Sequence, residues 1–213
     1  MQIAVDGPAG SGKSTISKMI ANQLKFEYID TGAMYRAITL KSMNQDIRPE
    51  EYDKLEQMLH DTDIDFKDGH IYLDGIAVDE AIRENKINQN VSNYAVIKFI
   101  RLWMVDIQRK IASNKDVIMD GRDIGSYVLP KAELKFFLTA SAEERGKRRY
   151  KELTAKGVEI DLAQVIDEIK KRDHIDSTRE FAPLKRAEGA IEIDTTFLDI
   201  EGVIEAILSY VNR

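Results

Sequence analysis

Ile3-Ala4-Val5-Asp6-Gly7-Pro8-Ala9-Gly10-Ser11-Gly12-Lys13-Ser14-Thr15 is the stretch around which the chain is organised. From Gly7 onward it fits the spacing G-x-x-x-x-G-K-[ST] without a gap, which is a phosphate-binding loop. Its chemistry explains the spelling. Glycines let consecutive backbone N–H groups curl around an anion, Lys13 adds a point charge for the outer phosphates, and the Ser14 hydroxyl can reach a magnesium ion. The flanks agree. An apolar strand precedes the loop, and Ile16, Met19, Ile20 and Leu24 follow at helical spacing, predicting an amphipathic helix whose N-terminus points at the phosphates. A chance Gly-rich turn would not bring both flanks with it.

The 213 residues suffice for one substantial core with smaller insertions, and 43% hydrophobic against 32% charged residues is an ordinary globular composition. With no cysteine there are no disulfides or thiolate metal sites, and a reducing, cytoplasmic setting is expected. His60, His70 and His174 are too scattered for a zinc site. No apolar run approaches the roughly 20 residues of a membrane-spanning helix, so no membrane association is expected. The net charge of −6 is unevenly divided: residues 44–90 hold thirteen Asp or Glu against five Lys or Arg, a net of −8, which leaves +2 for the rest. No broad basic surface remains for nucleic acid, so small phosphorylated molecules suit the pattern better.

Along the chain, Phe26 to Ile29 reads as a second strand, broken by Asp30-Thr31-Gly32, with helix resuming at Ala33 and carrying Tyr35 and Arg36 in its first turn. Tyr52, Leu55 and Leu59 mark a short helix. Two Asp-Gly turns, Asp68-Gly69 and Asp74-Gly75, between short apolar runs spell a small antiparallel meander. Ile100, Met104, Ile107 and Ile111 predict a long helix, with Arg101 and Arg109 elsewhere on its circumference. Val117-Ile118-Met119 and Leu134 to Leu138 are buried strands, Ser141 to Glu144 is a capping box opening a basic helix, and Asp161 opens another helix. A last strand, Ala190 to Asp194, leads to a closing helix expected to bury Ile200, Val203, Ile204, Ile207, Leu208 and Val211. Five strands alternating with helices predict an α/β fold with a parallel sheet covered on both faces.

Four charged groupings stand out, each with a plainer alternative. Asp120-Gly121-Arg122-Asp123 ends a buried strand; it is either an Asp-Gly turn with solvated neighbours or a place where Asp120 meets magnesium while Arg122 grips phosphate. Arg172, Asp176 and Arg179 share a helical face, as a surface ion-pair ladder also would. Arg145, Lys147, Arg148, Arg149 and Lys151 form a run without an acidic residue, either a solvated face or a set of cations whose repulsion a polyphosphate relieves. Arg36 beside Tyr35 is a candidate floor for a second phosphate, although the tyrosine could simply be core.

Taken together, the loop, Asp30-Thr31-Gly32-Ala33-Met34-Tyr35-Arg36, Gly121-Arg122-Asp123-Ile124-Gly125, Arg172-Asp173 and Asp176-x-x-Arg179 make the chain resemble the bacterial cytidylate kinases from Ile3 through the final helix. That resemblance implies a single P-loop NTPase domain over residues 1–213 with strand order 2-3-1-4-5. It further implies a monophosphate-binding insert at about 44–96, a helical lid at about 145–160, and magnesium-dependent phosphoryl transfer from ATP to CMP or dCMP. Carried over by position, residues 7–15 and Arg148 bind ATP, with Lys13, Arg148, Arg122 and Arg179 catalytic. Tyr35, Arg36, Arg122 and Arg179 surround the acceptor phosphate, Arg172 and Asp176 hold the ribose, and Thr31, Arg101 and Asp123 face the base. Cytosine's N4 amino group would donate to Asp123, and Arg101 would donate to the ring's acceptor edge. Phe99 stands where related sequences often have proline, so the start of the Arg101 helix is expected to differ. Ser14 and Asp120 are the expected magnesium contacts. A monomer is expected, as no exposed apolar stripe is evident. The rival readings are a kinase for another small acceptor such as UMP or AMP, and a non-kinase nucleotide switch. The latter lacks its usual Asn-Lys-x-Asp pattern here.

Overall fold

A computed structural model describes residues 1–67, 69–155 and 157–211, so Asp68 of the first expected Asp-Gly turn and Lys156 of the expected lid lie outside the described residues. In chain order the elements are β1 (Gln2–Asp6), α1 (Lys13–Leu24), β2 (Glu27–Asp30), α2 (Thr31–Asn44), α3 (Tyr52–His60), β3 (Ile64–Lys67), β4 (His70–Leu73), β5 (Ile76–Ala77), α4 (Asn85–Ala95), α5 (Lys98–Ala112), β6 (Val117–Gly121), β7 (Leu134–Thr139), α6 (Ala142–Ala155), α7 (Leu162–Thr178), β8 (Ile191–Asp194) and α8 (Ile200–Val211). A 3-10 turn, Ala81–Arg83, precedes α4, and a π-helical turn, Ile124–Val128, follows β6.

The main sheet is parallel throughout, in the order β2-β6-β1-β7-β8, which is 2-3-1-4-5 when only its own strands are counted. Because successive strand residues face opposite sides, Ile3, Val5, Ile118 and Phe136 pack with Ile16 and Ile20 of α1 and Val203 and Ile207 of α8. Ala4, Val117 and Met119 pack the other way, against Met34 and Ile38 of α2 and Ile100 and Met104 of α5. Both faces are therefore dry, as a parallel sheet requires. Truncating a side chain such as Ile20, 1% exposed, to alanine costs about 2–5 kcal/mol. Strands β3, β4 and β5 form the expected antiparallel meander, whose Leu73 and Ile71 join the same core as α2 and α5. Lys41 of α2 ties it down, donating to the Asp61 carbonyl at 2.7 Å and pairing with Asp74 at 2.6 Å.

Four expectations are corrected. Asp30-Thr31-Gly32 is no turn: β2 passes directly into α2 at Thr31, because the Asp30 carboxylate caps the helix by accepting from the Ala33 N–H at 2.9 Å. Met19 is 42% exposed, since α1 seats on the sheet through Ile16, Ser17, Ile20 and Ala21, an arc that leaves Met19 outside it. Ile200 is also exposed, because α8 buries itself through Val203 and Ile207 while Ile200, at its start, lines the cleft. Arg101, expected off the stripe of Ile100, Met104, Ile107 and Ile111, is buried together with Ile100 and Met104.

Parallel strands place all their C-terminal ends on one edge, and ligands bind there where the connections diverge. At that edge meet the loops after β1, β6, β7 and β8 and the N-terminus of α2. Among the described residues no helix is long and apolar enough to cross a membrane.

Candidate active site

A cleft of about 1290 Å³ lies along this edge, lined by Gly10–Thr15 of the loop and by the Arg36, Arg101, Arg122, Arg172 and Arg179 side chains. The loop's shape follows from two glycines. A Cβ on Gly7 would stand 2.2 Å from the Leu138 carbonyl of the neighbouring strand, so only glycine lets β1 turn here. Gly12, at φ 87°, is the N-cap of α1 and takes the left-handed conformation that ordinary residues avoid. Lys13 opens α1 and folds back to donate to the Pro8 carbonyl at 3.2 Å. Burial lowers the pKa of its ammonium, and the charge of Arg122 lowers it further. Ser14 donates to Asp120 at 2.8 Å.

Behind the loop stands a strut that sequence reading treated as part of the basic run. Arg145 donates through Nε to the Ala140 carbonyl and through Nη1 to the Ala9 carbonyl, both at 2.9 Å, and its Nη2 pairs with Asp173 of α7 at 2.6 Å. Gly10 packs against its backbone. The run is not bare of counter-charge: Glu144 pairs with Lys147 and Arg148, and Glu152 with Arg149, because acidic partners one turn away flank it. Arg148 reaches the cleft and donates to Thr195 through Nη2 at 2.6 Å, while Thr195 itself donates to the Ser11 carbonyl at 3.3 Å. The expected capping bond at α6 is present, from the Glu144 N–H to Ser141 at 3.2 Å.

The end of β6 gathers the second group. Asp120 accepts from Tyr28 as well as Ser14, and burial raises its pKa, with Asp30 alongside adding repulsion. Thr31 is turned toward β6, donating to the Asp120 carbonyl at 2.7 Å. Arg122 pairs with Asp176 of α7 at 2.8 Å, and Asp176 is held below the usual carboxylate range because Arg122 and Arg172 outweigh the opposing effect of burial. Asp123 sits between two guanidinium groups, Arg101 at 2.6 Å and Arg179 at 3.2 Å, all three nearly inaccessible to water. Phe99 does not displace Arg101: α5 starts at Lys98, and Phe99 packs edge-on against Tyr52. Arg101 also lies over the Tyr35 ring, 5.2 Å from its centre. Arg172 projects into the cleft with its Nε unpaired, and burial followed by Arg122 repulsion lowers its pKa to about 10. The Arg172, Asp176, Arg179 face is thus the wall of a cleft and not a solvated ladder.

Asp6, unremarked in the sequence, is 2% exposed and joins the two halves. Its carboxylate accepts the Ile124 and Gly125 N–H groups, each at 2.8 Å, fixing the segment just after Arg122 and Asp123 to the strand that carries the loop. Burial raises its pKa to about 7 against the pull of those two bonds. Asn88 and Ser92 of α4 line the cleft as well, and Phe197, Leu198 and Ile200 form an exposed apolar group at its rim, contrary to the expectation of none.

Among the described residues no group of three or more His, Cys, Asp or Glu forms a ready cation cage. The donors present are hard oxygens, Asp120 and Ser14, with the Asp30 carboxylate alongside. That set fits magnesium, which keeps most of its waters and takes one or two protein oxygens together with phosphates.

A phosphate-binding loop on a five-stranded parallel sheet, facing a second cluster of arginines in one cleft, defines a P-loop kinase acting on a small phosphorylated acceptor. The family described as cytidylate kinase matches residues 3–213, and the chain belongs to that family. A cytidylate kinase of Clostridioides difficile (strain 630) is 55% identical over 210 residues, covering 99% of this chain and 97% of that protein. One from Caldicellulosiruptor bescii is 53% identical over 212 residues, covering 98% and 94%. Among solved structures, a gluconokinase from Sinorhizobium meliloti 1021 shares the fold with a TM-score of 0.51 at 14% identity, covering 100% of this chain and 91% of that one.

Proposed function

We propose that the protein transfers the γ-phosphoryl group of ATP to CMP or dCMP, giving ADP and CDP or dCDP. One observation carries the reading: the loop residues Gly10–Thr15 and the side chains of Arg36, Arg122, Arg172 and Arg179 line a single cleft; burial lowers the pKa of the Lys13 ammonium there, and the charge of Arg122 lowers it further. Two cationic sites facing each other suit two anionic phosphates brought end to end.

Residues 7–15 hold the donor phosphates, and Arg148 closes over them from α6. Phe197, 96% exposed, and Leu198 offer an apolar face to the adenine ring beside Thr195. Tyr35, Arg36, Arg122 and Arg179 surround the acceptor phosphate, Arg172 and Asp176 hold the ribose, and Thr31, Arg101 and Asp123 face the base. Asp123 is polarised by two arginines yet retains lone pairs, so its role is to accept from the cytosine amino group; uracil would place a lone pair there instead. Ser14 and Asp120 would hold the magnesium that accompanies ATP, which supplies charge neutralisation at the β- and γ-phosphates.

Little covalent help is required. The acceptor oxygen is already anionic, so no strong base is needed, and the residues act by alignment and by spreading positive charge over a loose transition state. Lys13, Arg122, Arg179 and Arg148 supply that charge. Closure must follow binding of both substrates, or ATP would be hydrolysed, and the family resemblance supports reading residues 145–160 as the lid and 44–96 as the insert carrying the acceptor. The α6–α7 pair supports the lid assignment, as Leu153, Val165 and Ile169 form a small cluster of their own, separate from the two faces of the sheet. Soluble substrates and the lack of cysteine suit a cytoplasmic enzyme.

The test is a panel of acceptors with ATP in a coupled ADP-release assay. CMP and dCMP should accelerate ADP release far above the basal rate, UMP and AMP much less. A better rate with UMP or AMP would make this a kinase for a different acceptor, and no acceleration by any monophosphate would make it a nucleotide switch.

A further inference from the structure

Arg36 is an unusual arginine for its position. It rises from the first half of α2 into the cleft, and its closest carboxylate, Asp30, is 3.9 Å away, beyond hydrogen-bonding reach. Its guanidinium lies over Gly32, where a Cβ would stand 3.4 and 3.6 Å from the two terminal nitrogens. An arginine so placed needs a partner that fixes its direction without cancelling its charge.

That partner is Asn88 of α4, whose Oδ1 accepts from Arg36 Nε at 3.2 Å. The direction of the carboxamide is determined by its other end. Asn88 Nδ2 donates to the backbone carbonyls of Arg83 at 3.0 Å and Glu84 at 3.1 Å, and a carbonyl only accepts, so the nitrogen must face them. The oxygen is then obliged to face Arg36. Binding through Nε leaves both terminal nitrogens for a bidentate anion. Asparagine is suited to this where aspartate is not, since a carboxylate in its place would compete with the phosphate for the same cation.

We propose that Asn88 is a positioning residue for the acceptor phosphate, acting through Arg36. It also makes α4 part of the acceptor site, because an anion that orders Arg36 draws on a contact between α2 and α4. The proposal rests on the reading of Arg36 as an acceptor-phosphate ligand.

The test compares affinity for CMP with affinity for cytidine, which has the same base and sugar but no phosphate, in the full-length protein. Asn88→Ala should weaken CMP, measured as KM at saturating ATP, by about 3–10-fold, the worth of one positioning hydrogen bond. Cytidine, measured as a competitive inhibitor, and the KM for ATP should stay within about twofold, on the scale where tenfold is 1.4 kcal/mol. Asn88→Asp should weaken CMP at least as much, again sparing cytidine. In an Arg36→Ala background, Asn88→Ala should add nothing, because the group it positions is gone. Equal losses for CMP and cytidine, or a full additional loss in the Arg36→Ala background, would overturn the proposal. If Arg36→Ala itself leaves CMP affinity unchanged, the reading of Arg36 fails, whatever Asn88 does; if Arg36→Ala weakens CMP strongly and both Asn88 variants leave it intact, only the role of Asn88 fails.

Discussion

Asp123→Asn is the change whose consequences the structure specifies most fully. Asp123 lies between Arg101 and Arg179, at 2.6 and 3.2 Å, with all three side chains at or below 5% exposed. Replacing it with a carboxamide keeps one acceptor and turns the other oxygen into a donor aimed at a guanidinium. Removing one partner of a buried ion pair costs roughly 3–5 kcal/mol, mostly for the charge left behind. For a chain of this size that is a fall of about 6–20 °C in Tm, large but short of unfolding. The effect on selectivity is separate. With the carboxylate gone, the cytosine amino group meets an amide that can donate as readily as accept, and a ratio of kcat/KM for CMP over UMP of roughly 10²–10⁵ should collapse toward unity. Thermal unfolding and the two acceptors' kcat/KM values check both halves. A variant that loses stability as expected but keeps its CMP preference would refute the argument that Asp123 reads the base, and would leave it a structural counter-ion.

Three further outcomes follow from the same contacts. Lys13→Ala should lower kcat by about 10² or more, as removal of a group that stabilises transition-state charge does; normal turnover would take the loop lysine out of the mechanism. Arg145→Lys cannot reproduce the three-way contact with Ala140, Ala9 and Asp173, so it should raise KM for ATP by about tenfold and leave cytidine inhibition unchanged; an equal effect on both ligands would count against a strut confined to the donor loop. Asp6 binds its proton more tightly folded, with a pKa of about 7, than unfolded near 3.8, so from pH 4 to 7 the folded state carries a proton the unfolded chain has lost, and stability falls as pH rises. Between pH 5 and 7 this one group should remove about 2–3 kcal/mol, a slope that Asp6→Asn abolishes; parallel urea-unfolding profiles for the two proteins would show Asp6 ionised throughout.

Local chemistry made part of this site legible in the sequence. Gly7, Gly12 and Lys13 are dictated by the backbone they build, so their spacing alone defines the loop and, with its flanking strand and helix, the fold. Asp120 to Asp123 could be singled out because charges at the end of a buried strand demand partners. What stayed hidden depends on distant chain segments meeting. Asp6 binds residues 124 and 125, Arg145 binds residue 9, and Asn88 binds Arg36, and nothing local to any of them announces the contact. Helical periodicity misplaced Met19 and Ile200 for a related reason. It identifies an apolar face but not where the sheet beneath begins and ends, so Ile200 lines the cleft, exposed, while smaller Ser17 and Ala21 take the buried positions on α1. Arg101 shows the converse, a charge admitted to the core because Asp123 and the Ala95 carbonyl wait there.

The central claim is that one cleft joins a donor and an acceptor phosphate, and it is tested most directly by following where the γ-phosphoryl group goes. With ATP, magnesium and CMP in solution, phosphorus NMR of the reaction should show CDP and ADP appearing in equal amounts, with negligible inorganic phosphate. ADP and inorganic phosphate accumulating without CDP would contradict the account.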